Sequence, residues 1–235
     1  RNFIMGGYVH GEPVLITGKG TYSYMFIEAH NADMSRRWKY DIMDTDPGAR
    51  GSHITPILDI NNDGVEELFW GERCIELDTG CELFCYDKES YSGHSDIVQP
   101  IFDYENDKIY IFIARETEIG KGPRVNVYNT SGSRVWGKFE QGHMHVNWAC
   151  RIKEHPHPLV MSAESGGENK YCLCDAFTGD DVSLPFDYTK CFPVDINGDG
   201  YHEFLHIEEG TLFNAKGDIL GQVEGHGCQR SRILD

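Results

Sequence analysis

Two stretches decide how this chain is read: DINNDGVEELFWGE, residues 59–72, and DINGDGYHEFLHIE, residues 195–208. Each sets an acidic, glycine-bearing loop between one short apolar run and another. An internal repeat has to be settled before any single motif, because its period dictates the architecture.

Working outward, the segments that lead into such loops align with one another: GSHITPILDINNDG (51–64), SGHSDIVQPIFDYEND (92–107), GHMHVNWACRIKEHPH (142–157), KCFPVDINGDG (190–200) and EGHGCQRSRILD (224–235). Their entry residues, His53, His94, His143, Cys191 and His226, are separated by 41, 49, 48 and 35 residues. A period of about 45 residues accommodates one four-stranded β-module per repeat. Inside the second module the apolar runs HITPILD, EELFWGE, CIELD and CELFCYD follow in order. In the third they are DIVQPIF, KIYIFIARE, RVNVYN and RVWGKF. These runs are short, rich in β-branched and aromatic residues, and broken by Gly/Asn/Asp turns, which predicts strands. Helical periodicity is almost absent.

The fold class expected is therefore all-β: a β-propeller of four-stranded blades spanning 1–235. The modules run from about 1–48, 49–90, 91–140, 141–188 and 189–224, with the start of a further blade at 225–235. The first module, PVLITGKG through RRWKYDI, is expected to supply only the last three strands of its blade. With about five blades represented, the chain reads as part of a larger propeller rather than a closed five-bladed ring.

The loops predict cation sites. In the first, Asp59, Asn61, Asp63, the carbonyl of Val65 and Glu67 occupy positions 1, 3, 5, 7 and 9; in the second the set is Asp195, Asn197, Asp199, the carbonyl of Tyr201 and Glu203. Oxygen ligands at that spacing wrap a calcium-sized cation, and Gly64 and Gly200 permit the sharp turn. Asx/Gly turns of this composition also close hairpins without metal. The third module keeps Asp103, Glu105 and Asp107 but has Ile111 where the last acid belongs, and KEHPHP in the fourth has lost the loop. Those two are expected to hold nothing. Calcium is expected to be structural.

Composition narrows the function. A formal charge of -17 argues against nucleic acid or an anionic membrane as partner, because phosphate binding needs a basic surface. No run approaches the roughly 18 apolar residues of a membrane span. The N-terminal residues lack the layout of a signal peptide. The eight cysteines form no paired CxxC framework.

Against that acidic background, one slot is loaded with His, Tyr and Arg. In a propeller, the start of each first strand and the end of each second strand meet on one face. His53 pairs with Arg73 in this way, Tyr91 and His94 with Arg115 and Glu116, and His143 and His145 with Glu164. His226, Arg230 and Arg232 open the truncated module similarly. A locally cationic mouth suits an anionic ligand, with arginine clamping its carboxylate. β-Elimination in a uronate chain needs that carboxylate neutralised, a base of near-neutral pKa and an acid for the leaving oxygen, and Arg, His and Tyr supply those roles. Glycoside hydrolysis would instead want two carboxylates, for which Glu116 and Glu164 are the candidates.

EPVLITGKGTYSYMFIEAHNADMSRRWKYDI (12–42) followed by GSHITPILDINNDGVEELFWGE (51–72) resembles the propeller polysaccharide lyases, the ulvan lyases and rhamnogalacturonan lyases. The acidic loops are expected to be FG-GAP-like calcium loops, and the resemblance implies a seven- or eight-bladed, calcium-containing propeller. It implies a secreted, periplasmic or extracellular monomer that cuts a rhamnose- and uronate-containing anionic polysaccharide. It further implies His53, His94, His143 and His145 as histidine candidates, Tyr91 as acid and Arg73 or Arg115 as neutraliser. Zinc on His and Cys in some ulvan lyases brings Cys191 and Cys228 into consideration. The alternative is a non-catalytic calcium-binding propeller for glycan binding or adhesion.

Overall fold

The computed structural model describes residues 2–22, 24–116, 121–164 and 170–223. They divide into two compact units, Arg1–His145 and Val146–Asp235. Among the described residues the regular structure is all strand apart from one 3-10 turn, Tyr188–Lys190. No helix is long and apolar enough to cross a membrane.

The first unit holds three four-stranded sheets, each a meander in chain order. The first comprises β1 (Asn2–Val9), β2 (Glu12–Lys19), β3 (Met25–His30) and β4 (Arg36–Ile42). The second comprises β5 (Ile57–Leu58), β6 (Glu67–Trp70), β7 (Arg73–Glu76) and β8 (Glu82–Cys85). The third comprises β9 (Ser95–Asp103), β10 (Lys108–Arg115), β11 (Val125–Asn129) and β12 (Arg134–Lys138).

Strand β6 shows why successive sheets stack. Its residues are buried without exception, and the two-residue strand period sends them to opposite sides. Leu68 and Trp70 join Val14, Ile16, Met25 and Ile27 of the first sheet. Phe69 turns the other way and joins Val98, Ile111, Ile113 and Tyr128 of the third. A middle sheet buried on both faces is the packing of neighbouring propeller blades. Truncating Trp70 to alanine would cost about 3–5 kcal/mol.

Strand β13 (Met144–Cys150), whose first two residues belong to the first unit, forms a three-stranded sheet with β14 (Leu159–Glu164) and β15 (Tyr171–Asp175). Strands β16 (Cys191–Val194), β17 (Glu203–His206), β18 (Thr211–Phe213) and β19 (Ile219–Gln222) form a four-stranded one. Trp148, Leu159, Met161 and Leu173 from the first of these pack with Cys191 and Phe204 from the second.

Three expectations need correction. The first module has four strands, not three, since NFIMGGYV pairs along its whole length with β2, from Asn2↔Lys19 to Val9↔Glu12. The Gly6-Gly7 pair hid it by breaking the apolar alternation; Gly7 is needed because a Cβ there would lie 2.5 Å from Leu77. The expected strand at HITPILD shrinks to Ile57–Leu58, because Pro56 has no N–H to donate and His53 bonds its N–H to Ser95 instead. The fourth module has three strands among the described residues. Its outer edge is carried by an isolated Cys174↔Asp181 bridge.

A candidate histidine–glutamate site

The chain reaches the site by backbone pairing just ahead of two strands. Arg50 N–H bonds to Gly93 O (2.7 Å), Ser95 N–H to Gly51 O (3.3 Å) and His53 N–H to Ser95 O (3.3 Å), so segment 50–53 runs beside 93–95 and sets His53 next to His94. The ladder between β9 and β10 shifts register between Ala114, opposite Ile97, and Arg115, opposite Ser95, so the pairing steps over Asp96. Such a bulge re-aims the following side chain. Here Glu116 follows it, with its N–H on His94 O (3.3 Å).

Glu116 is the hub. Its Oε2 lies 2.5 Å from His53 Nε2 and 2.7 Å from His94 Nε2; its Oε1 lies 3.2 Å from His143 Nε2 and 3.7 Å from His145 Nδ1. His145 Nδ1 also stands 3.6 Å from Asp96. The inner part is dry, with His94 5% and Glu116 8% exposed, whereas the His143 and His145 side chains are about half exposed. The structure thus brings all four predicted histidines together in the first unit.

The other predicted site residues have different work. Arg73 is buried, giving its Nε to Ala49 O (2.8 Å), one Nη to Glu82 (2.5 Å) and the other to Pro47 O. Arg115 is wholly buried and grips both oxygens of Glu72 (2.8 and 2.6 Å) as well as Asp87 (2.8 Å). Burial opposes its charge, but Glu72, with Tyr128 and Asp87 adding, outweighs that and pushes its pKa up. Neither guanidinium can clamp a substrate carboxylate, because each is enclosed and already matched by protein carboxylates. Tyr91 is also buried; its hydroxyl donates to His94 O (2.7 Å) and its ring lies 4.0 Å from the Arg115 guanidinium carbon. Burial pushes the phenol far up, so it is a support for His94 rather than an exposed acid. Glu164 belongs to the second unit, at the end of β14. His226, Arg230, Arg232 and Cys228 lie outside the described residues.

Two participants escape the sequence reading. Asp96 follows the pattern His94-x-Asp96, the same-face spacing of a strand, and could have been found. Tyr22, in the connection between β2 and β3, sets its ring 4.4 Å from that of His94 while 60% exposed. Nothing in its local sequence signals this.

Both acidic loops fold alike. Asp59 accepts from the N–H of Asp63 (3.2 Å) and Gly64 (2.9 Å), and Asp195 from those of Asp199 (3.1 Å) and Gly200 (2.8 Å). The next aspartate accepts from Val65 N–H (2.8 Å) in one and Tyr201 N–H (3.0 Å) in the other. Their charge balance differs. Glu67 is 1% exposed and bonded to the Ile60 N–H (3.0 Å). Burial, with Asp63 and Asp59 adding, pushes its carboxyl up to about 7. A buried carboxylate beside two more acids fits a bound cation. In the second loop Lys153 Nζ already sits 2.6 Å from Asp199 and holds its pKa down.

Among the described residues, the groups of three or more His, Cys, Asp or Glu able to share a metal ion are His53–His94–Glu116 and Glu116–His143–His145. Two imidazoles and a carboxylate are a donor set that leaves an open position on a divalent ion. Cysteine takes no part in either; Cys191 is buried, which pushes its thiol up to about 12, against the thiolate that zinc requires.

No family model matches the chain, and no curated protein does. Among solved structures, rhamnogalacturonan lyase YesW superposes with a TM-score of 0.74 at 19% identity, covering 96% of this chain and 38% of that one. BBS1N in complex with ARL6DN gives a TM-score of 0.33 at 11% identity, covering 94% of this chain and 77% of that one, and carries no argument. At such identity the likeness to the lyase establishes the fold, and this chain spans well under half of that protein's length.

Proposed function

We propose that this chain carries the reaction centre of a polysaccharide lyase that opens a rhamnose- and uronate-containing anionic polymer, rhamnogalacturonan or ulvan, by β-elimination. The observation that carries the reading is the convergence of four imidazoles on the single carboxylate of Glu116. The propeller fold shared with a rhamnogalacturonan lyase supports it.

Elimination removes the proton α to the uronate carboxylate, forms a carbon–carbon double bond and expels the glycosidic oxygen β to it. A neutral imidazole takes that proton at near-neutral pH. His143 and His145 are the half-exposed members and can meet a polymer, while buried His94 and part-buried His53 are positioned by Glu116. The Tyr22 phenol, exposed beside His94, takes the place of Tyr91 as proton donor to the leaving oxygen. With Arg73 and Arg115 enclosed, a divalent cation on His53, His94 and Glu116 would supply a positive charge facing the carboxylate. Calcium in loops 59–67 and 195–203 would be structural. The protein would act as a monomer outside the cell.

The test is incubation of the chain with rhamnogalacturonan and with ulvan while following the ultraviolet absorbance of the unsaturated uronate, alongside His143→Ala and His145→Ala. Absorbance that grows with the parent and is lost in the variants is the expected result. If neither polymer gives absorbance but both are retained on the immobilised protein, the chain is a calcium-binding glycan-binding propeller instead.

A further inference from the structure

A groove of about 600 Å3 opens at the end of β9 remote from the histidines, roughly 25 Å along the strand from Ser95. Its size is that of a small-ligand site, about 300–1,000 Å3. Asp59 and Asn62 of the first acidic loop, Phe102, Tyr104 and Asp107 around the β9–β10 turn, and Thr130 of the β11–β12 turn contribute to its walls.

Its distinctive element is an aromatic pair held in water. Along β9 the neighbours of Phe102, Ile101 and Asp103, are buried at 4% and 7% exposed, while Phe102 itself is 41% exposed. Asp103 ties down Asn106 through its N–H (3.2 Å) and its amide (2.8 Å), and Asp107 adopts a φ of 51°, which reverses the chain. That turn brings Tyr104, 73% exposed, near-parallel to Phe102 at 5.8 Å with an interplanar angle of 19°. Large aromatics kept exposed and paired mark a contact surface.

We propose that this groove binds a neutral pyranose segment of a glycan chain. A sugar ring lays its C–H face on the Phe102–Tyr104 pair, while its hydroxyls meet Asn62, Asp107 and Thr130. The sign of the charge selects the ligand: with Asp59 left to the cation loop, Asp103 and Asp107 still outnumber Lys108 at the groove, so a uronate is repelled where a neutral sugar is not. The groove would hold an uncharged stretch of polymer apart from any site that acts on acidic residues. It does not depend on the elimination chemistry.

Affinity electrophoresis of the 235-residue chain through gels containing galactan, mannan or glucan, with polygalacturonate as the charged counterpart, tests this. At least one neutral polymer should retard the parent. Tyr104→Ala and Phe102→Ala should each weaken that retardation by about tenfold or more, with unchanged melting temperature. Uronate elimination on soluble oligosaccharides should be untouched in both. Absence of retardation by all three neutral polymers overturns the proposal. So does retardation that survives both substitutions, or retardation by polygalacturonate that they abolish equally.

Discussion

Arg115 and Glu116 are adjacent in sequence and opposite in kind. The arginine is fully enclosed, two of its nitrogens on Glu72, so removing it strands a buried carboxylate with no countercharge. Arg115→Ala is expected to lose about 3–5 kcal/mol of stability, read as a large fall in melting temperature, with activity vanishing only because the fold does. Glu116→Gln should behave in the reverse way. Two of its imidazole neighbours, His143 and His145, are half exposed, and an amide of equal shape keeps the packing, so melting should shift little. Turnover on uronate polymers should drop by about a hundredfold or more, and the divalent metal retained per chain, measured by elemental analysis after dialysis, should fall. If Glu116→Gln melts as low as Arg115→Ala, the carboxylate is a structural strut and the cluster is not a reaction centre.

At the scale of the element, the two acidic loops share a hydrogen-bond pattern but not a charge balance. Glu67 has a folded-state pKa of about 7, above the ordinary glutamate value, so without metal the folded chain binds a proton that the unfolded chain has released. Its contribution is present at pH below about 4.5 and is lost as pH rises through about 7, at most about 3 kcal/mol. Melting temperature of the chelated protein should therefore fall between pH 5 and 8. Glu67→Gln should flatten that slope, and added calcium should reverse it. A slope unchanged by Glu67→Gln would assign the effect elsewhere. In the other loop Lys153 competes with any cation for Asp199. Lys153→Met is expected to tighten calcium there by about two- to fivefold in a titration, the scale of an exposed ion pair. The shape of these loops was legible in the sequence because the residues that form it lie within nine residues of chain. Strand β1 was not, because its Gly7 answers to Leu77 and Ile57, some seventy and fifty residues away.

For the whole molecule, the repeat made the sheets readable and also brought the four histidines to one place, since His53, His94 and His143 open consecutive modules. It could not tell which of the residues closing the second strands face the site. Arg73 and Arg115 occupy the predicted slot but turn into the packing between sheets, where Glu82, Glu72 and Asp87 from other strands and turns match them. Glu72 and Asp87 reach Arg115 by packing across sheets and Glu82 reaches Arg73 from the adjacent strand, and neither match is set by the repeat period. With such arginines neutralised internally, the formal charge of -17 is left to dominate the field at a distance. The polyanionic substrate we propose would then approach against repulsion, which screening relieves as the Debye length falls from about 30 Å at 0.01 M salt to about 8 Å at 0.15 M. The KM for a uronate polymer is accordingly expected to fall as monovalent salt rises over that range, while kcat stays level because the buried contacts of Glu116 are shielded from solvent ions. Salt series with potassium chloride on the polymer and on a short oligosaccharide separate the two quantities. A KM that instead climbs steadily with salt would mean that a cationic surface governs encounter, and would remove the basis for assigning carboxylate neutralisation to a cation held locally by His53, His94 and Glu116.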